Sequence, residues 1–231
     1  MSLSPRFVNP VDIPALEIEG SERAFAVRRI LCVAKNYAAH AREMGADPER
    51  ERPRFFDKPI ISLLPGGGTV RYPRASQSLH HEVEWVIAIG SSADGPVGAE
   101  RAESLVCAVG CGIDLTRRDL QADAKAARGP WDLAKGFAGS APVGLLRPTN
   151  KLPRAGRIRL WVNNELRQAG DVAEMIWSGA EVLAELSLYD DLRAGDLVFT
   201  GTPSGVGPLI PGDRVRGEVE GVGGIELFIA P

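Results

Sequence analysis

Residues 79–90, LHHEVEWVIAIG, decide the fold of this chain. On the two-residue period of a strand, Val83, Trp85, Ile87 and Ile89 fall on one face and Val86 and Ala88 on the other. A strand apolar on both faces is covered on both faces, so it belongs inside a layered β structure. The same period puts Glu82 and Glu84 side by side on the Val86 face. Two carboxylates in that setting repel and lose hydration. They persist by sharing a proton, by meeting cations such as arginines at an exposed strand end, or by holding a metal ion.

Upstream, Ile30, Leu31, Cys32 and Val33 predict a short buried strand, and YAAHAREMG predicts a helix closed by Gly45. Residues 46–54 are charged and proline-bearing and read as a solvated loop. Residues 54–73 are β-like, with a turn at the glycines 66–68; no Lys-Ser/Thr follows to make them a phosphate cradle. Downstream, residues 99–127 give a helical start, a buried glycine-interrupted run and a polar helix. RIRLWVNNELRQAG reads as a hairpin, with Asn163 and Asn164 able to take the positive φ of a tight turn. MIWSGAEVLAELSLY reads as an amphipathic helix that includes Ile176, and the remaining chain returns to short strands. The expected fold class is β-rich α+β, its strands forming a sandwich or roll, with an N-terminal arm over 1–24 and one catalytic domain over 25–231.

The 231 residues are 44% hydrophobic and 25% charged, as in an ordinary globular chain with a core. The net charge of −3 and the scattered basic residues make no case for nucleic acid. No stretch approaches the roughly 20 apolar residues of a spanning helix, and the N-terminus lacks a signal-peptide core. Cys32, Cys107 and Cys111 form no CxxC pair and read as reduced and mostly buried. A cytoplasmic protein with no membrane partner is the expectation.

Asp114 follows the buried run AVGCGI and is either a third ligand beside Glu82 and Glu84 or a helix N-cap. Three carboxylates make an all-oxygen site that suits Mg²⁺, Mn²⁺ or Ca²⁺ better than Zn²⁺. His40 and Glu43 are three apart on the predicted helix and can touch. They form either a general-base pair, in which the carboxylate raises the basicity of the far ring nitrogen, or a solvated surface pair. His81 is expected to be structural and His80 to lie on the Glu82 face. Lys35, Lys58 and Lys135 stand in mixed apolar settings, either as anion anchors or as snorkelling lysines. Arg117, Arg118, Asp119 and Gln121 open a helix that binds substrate or is merely exposed, and Thr200 and Thr202 sit in a Gly/Pro loop with many free N–H groups.

Taken in order, VAKNYAAHAREMG, FFDKP, LHHEVEWVIAIG, GIDLTRRDLQ, the lysine of AKGF, VNNELRQ and GDLVFTGTPSGVG resemble the fumarylacetoacetate hydrolase family over residues 28–228. The resemblance implies a mixed β-sandwich roll, usually a homodimer, with a divalent metal on Glu82, Glu84 and Asp114. It also implies a His40–Glu43 dyad on a lid helix, and substrate-binding or oxyanion roles for Arg118, Gln121, Lys135 and Thr202. Within the family the segments are most similar to fumarylpyruvate hydrolases, which act on a small dioxo acid. The chain departs from the usual pattern at Lys35, at Ala138, where an acid is common, and at Asn164.

Overall fold

A computed structural model describes residues 13–43 and 50–231 of the chain. The cap expected at Gly45, the 46–49 part of the expected loop and residues 1–12 lie outside the described residues.

The centre is a mixed sheet. Its consecutive strands are Arg54–Lys58, Arg29–Ala34, Asp196–Phe199, Val83–Ile89, Val106–Ile113, Ala141–Val143 and Leu63–Pro65. Arg147–Pro148 adds an eighth strand beside Val106–Ile113. A second sheet of five strands, Glu165–Asp171, Arg157–Val162, Arg214–Val219, Gly223–Ala230 and Gly68–Arg71, covers one side of it. Helix Gly179–Leu186 contributes Val182, Leu183 and Leu186 to the same core.

The two-faced strand is buried as its sequence requires. Val83, Trp85, Ile87 and Ile89 enter the core shared with Leu160, Val215 and Leu227 of the five-stranded sheet. Val86 and Ala88 enter a separate cluster with Ile30, Cys32, Leu197 and Phe199. Leu16, from the expected N-terminal arm, is fully buried in that second cluster, and Ala15–Leu16 pairs with Phe25–Ala26. Each fully buried aliphatic side chain contributes about 1.5–3 kcal/mol, so the central strand is anchored from both sides.

Two expectations are corrected, and one alternative is excluded. The segment LHHEVEWVIAIG is two strands, not one: Leu79–His81 joins a small sheet with Thr116–Arg117 and Gly207–Leu209, and Val83–Ile89 joins the central sheet. The ladder breaks because the Val83 amide donates to the Gln168 side chain (3.0 Å) and not to a neighbouring strand. The amphipathic helix starts at Gly179, leaving Ile176 outside it, because Ser178 and Glu181 form a reciprocal capping box that sets its first turn. Asp114 caps no helix; the next one begins at Arg118, and Asp114 is buried. The Asn163-Asn164 turn holds, with φ of 51° and 69° and Val162 paired to Glu165. The thiols of Cys32, Cys107 and Cys111 are free. Among the described residues no helix is long and apolar enough to cross a membrane.

Candidate active site and metal centre

The central sheet brings the three acids together by register. Val83 pairs with Ile113 and Glu84 with Gly112, which sets Glu82 opposite Asp114 just beyond the ladder; the Asp114 amide donates to the Glu82 carbonyl at 2.8 Å. Directly opposite residues share a face, and so do residues two apart on one strand, so the three carboxylates converge. Each offers an oxygen within 4.8 Å of the others, and all three residues are buried.

Three cations meet two of these acids. Lys135 Nζ donates to Glu82 Oε2 (2.9 Å), Asp114 Oδ2 (2.6 Å) and Thr116 Oγ1 (2.7 Å). Arg118 donates to Glu82 Oε1, and its other nitrogen donates to Gln121 Oε1 at 2.6 Å. Lys58 Nζ is fully buried, donates to the carbonyls of Leu115 (3.1 Å) and Ser140 (3.0 Å), and lies 2.7 Å from Asp114 Oδ1. That last approach is out of hydrogen-bond alignment, so Oδ1 keeps electrostatic contact but no hydrogen bond.

Glu84 is the acid the cations do not reach. Among the described residues it forms no ion pair, and its Oε2 accepts only the Gly201 amide at 2.6 Å. Burial, then the charges of Asp114 and Glu82, push its carboxyl well above the usual carboxylate range. Burial pushes Glu82 the same way, but Lys135 and Arg118 override it and hold that carboxyl below the usual range. The Lys135 ammonium is raised by Asp114 and Glu82 against the opposing effect of burial. A buried Glu84 carboxyl with no ion-pair partner among the described residues, converging with Glu82 and Asp114, fits a hard divalent cation, which would relieve it.

His40, Arg118, Gln121, Lys135 and Thr202 line one open cleft together with Glu82, Glu84 and Asp114, and Glu43 stands behind His40. His40 is nearly buried on helix Ala38–Glu43, and its Nδ1 lies 3.3 Å from Glu43 Oε2. Glu43 in turn accepts the Gly205 amide at 3.2 Å, tying the helix to the loop that carries Thr202. Burial holds the His40 imidazolium below the usual histidine range, opposed by Glu82 and Glu43, so the ring is neutral at neutral pH and open to a proton. Thr200 does not reach the cleft: it is buried and its hydroxyl donates to the Trp85 carbonyl at 2.7 Å. Asp119 binds Ser76 and the Gln77 amide and serves the loop before the small sheet.

Sequence reading missed two positioning residues. Asn36 bonds the Thr200 carbonyl (2.8 Å) and both the amide (2.8 Å) and the carbonyl (2.9 Å) of Trp177. Gln168 is fully buried; its carbonyl oxygen accepts from Val83 and from His81 Nδ1 (2.9 Å), and its amide nitrogen donates to Thr202 Oγ1 (2.8 Å) and the Pro203 carbonyl (2.9 Å). His81 is thus structural, as expected, and His80 bonds Ser78.

The amide that Glu84 accepts comes from a residue with no room for a side chain. Gly201 has φ of 95°, and a Cβ there would lie 2.8 Å from Asn36 Cβ. Gly201→Ala is expected to destabilise the protein by about 1–3 kcal/mol through backbone strain and that clash. The urea midpoint reads this, and an unchanged midpoint would mean that the loop relaxes freely.

The domain described as fumarylacetoacetate (FAA) hydrolase C-terminal matches residues 29–229. The chain belongs to this family. The crystal structure of the fumarylpyruvate hydrolase of Pseudomonas aeruginosa in complex with Mn²⁺ and pyruvate superposes with a TM-score of 0.94 at 42% identity, covering 97% of this chain and 99% of that one. The fumarylpyruvate hydrolase of Ralstonia sp is 37% identical over 80% of this chain and 96% of its own length. The mitochondrial oxaloacetate tautomerase of Bos taurus is 37% identical over 84% of this chain and 88% of its own length. The family's fold is therefore present, and its members include hydrolases and tautomerases built on similar chains.

Proposed function

We propose that this chain is a divalent-metal-dependent hydrolase that cleaves a carbon–carbon bond in an acylpyruvate, with fumarylpyruvate, giving fumarate and pyruvate, as the best fit. The observation that carries the reading is His40, held by Glu43 and lining one cleft with three converging carboxylates. Mg²⁺ or Mn²⁺ on Glu82, Glu84 and Asp114 would supply Lewis acidity to the 2-oxo acid end of the substrate.

The chain's own residues do the rest. Lys58 and Lys135 set Asp114, and Arg118 with Lys135 sets Glu82. His40 removes a proton from water, and Glu43 holds the ring so that its far nitrogen is the base. The water oxygen bonds to the C4 ketone carbon, while Lys135 and Gln121 steady the charge on the former ketone oxygen. The C3–C4 bond then breaks, its electron pair leaves as the enolate of pyruvate, and a proton returns to C3.

A second reading, a tautomerase, isomerase or decarboxylase of a dioxo acid, uses the same residues without adding water, and the oxaloacetate tautomerase relative favours it. Turnover of fumarylpyruvate in ¹⁸O-water separates the two. Hydrolysis places one ¹⁸O in the carboxylate of released fumarate; substrate consumption without labelled fumarate would remove the hydrolase reading.

A further inference from the structure

Beyond the acids, the cleft carries two lysines that the reaction above leaves unused. Helix Arg118–Ala126 places Arg118, Gln121 and Lys125 at i, i+3 and i+7, on one face. Arg118 touches Glu82, Gln121 is buried one turn further on, and Lys125 lines the cleft about 10 Å along the axis from Arg118. Lys35 lines the cleft from another direction, at the end of the buried strand Arg29–Ala34. Its φ is 60°, a left-handed conformation that costs a residue with a Cβ and that most chains give to glycine or asparagine. Asn36, next in sequence, clamps the backbone there through Thr200 and Trp177, so the strained turn is held in place.

Among the described residues neither Lys35 nor Lys125 forms an ion pair. Burial, followed by the like charges of Arg118 and Lys35, holds the Lys125 ammonium below the usual lysine range. Lys125 Nζ stands 5.4 Å from the centre of the Trp131 ring; Trp131 also lines the cleft, and its ring lies tilted against Phe56. Two ammonium groups without an ion-pair partner among the described residues, one of them over an aromatic ring, line the same cleft as the acids and match an unsaturated chain that ends in a second carboxylate.

We propose that Lys35, Lys125 and Trp131 form a distal subsite that binds the second carboxylate of a dicarboxylate substrate, with Trp131 flanking the chain between the two ends. The subsite rests on the acylpyruvate reading for its orientation: the 2-oxo acid end lies at the three acids and the acyl end at the lysines. It selects a fumaryl over an acetyl group. It also favours a long diacid over oxaloacetate, whose two carboxylates are too close together to span from the acids to the lysines.

The test compares wild type with Lys35→Asn/Lys125→Met; asparagine tolerates the left-handed turn and methionine keeps a stem over Trp131. The first measurement is the ratio of kcat/KM for fumarylpyruvate to that for acetylpyruvate, which should fall roughly 10- to 100-fold in the double variant. The second is calorimetric binding of fumarate against crotonate, which has a methyl group where fumarate has its second carboxylate, with and without Mn²⁺. Wild type should prefer fumarate, the double variant should not, and Lys125→Arg should keep the preference. Equal preference in wild type and double variant would overturn the subsite even if fumarylpyruvate is cleaved. A fumarate preference that depends on the lysines, in a protein that cleaves neither acylpyruvate, would sustain the subsite and remove the reaction assigned above.

Discussion

His40→Ala is expected to lower kcat on fumarylpyruvate by about 10²- to 10⁴-fold, the range a positioned general base supplies, while leaving Mn²⁺ and pyruvate binding close to wild type. The separation follows from where His40 sits: it is on helix Ala38–Glu43, outside the sheet that holds the three acids, and its side-chain hydrogen bond goes to Glu43. Removing the imidazole takes the base away without touching Glu82, Glu84 or Asp114. Single-turnover rates with Mn²⁺ binding measured alongside decide the matter. Retention of activity within a few-fold would show that another group activates the water. Loss of Mn²⁺ binding together with activity would show that His40 supports the site's structure.

Glu84→Gln is expected to move metal affinity and metal-free stability in opposite directions. In the metal-free protein, burial and the neighbouring Asp114 and Glu82 charges raise the Glu84 carboxyl well above its ordinary value. An acid with a raised folded pKa binds its proton more tightly in the native state than in the unfolded chain. Its ionisation therefore subtracts stability as pH rises above about 4.5, the unfolded-state value, and the loss grows until the folded carboxyl itself ionises. The glutamine variant removes that loss, so without metal at neutral pH its Tm should exceed that of wild type. Wild type should gain about 2.7 kcal/mol when Mn²⁺ is present at a hundred times its Kd, and the variant should gain much less at the same concentration. Thermal unfolding with EDTA or Mn²⁺ at pH 5 and pH 8 reads all of this. A variant less stable than wild type without metal, or one with an undiminished Mn²⁺ shift, would place the cation elsewhere.

The parts of the site carried by chain-local pattern were legible before the structure. Alternation placed Glu82 and Glu84 on one face, and the Asn163-Asn164 dipeptide announced its hairpin. The family's ordered segments then added Lys135, Arg118, Gln121 and Thr202, all of which reach the cleft. What stayed hidden depends on contacts far apart in sequence. The opposition of Glu82 and Asp114 is a matter of strand register, which the hydrophobic pattern of either strand leaves open. Gln168 is one polar residue in a polar hairpin, and only the fold brings its amide to Val83 and Thr202, more than thirty residues away in either direction. The break of residues 79–90 at Glu82 was invisible for the same reason, since the group that interrupts the ladder belongs to the other sheet. Lys58 read as an ambiguous lysine because nothing local shows that its ammonium ends among carbonyl oxygens beside Asp114.

The Gln168 bridge also makes one imidazole a fixed spectroscopic reference. Because the Val83 amide can only donate, the Gln168 atom it meets must be oxygen, and the same oxygen faces His81 Nδ1. His81 must therefore carry its proton on Nδ1, and burial keeps the ring uncharged, so Nε2 is bare. In a ¹⁵N-labelled sample this ring should show the Nδ1–H tautomer at neutral pH. An imidazole resonance that shifts on Mn²⁺ addition while this one stays fixed would then report on His40 or His80, the other two histidines of the chain.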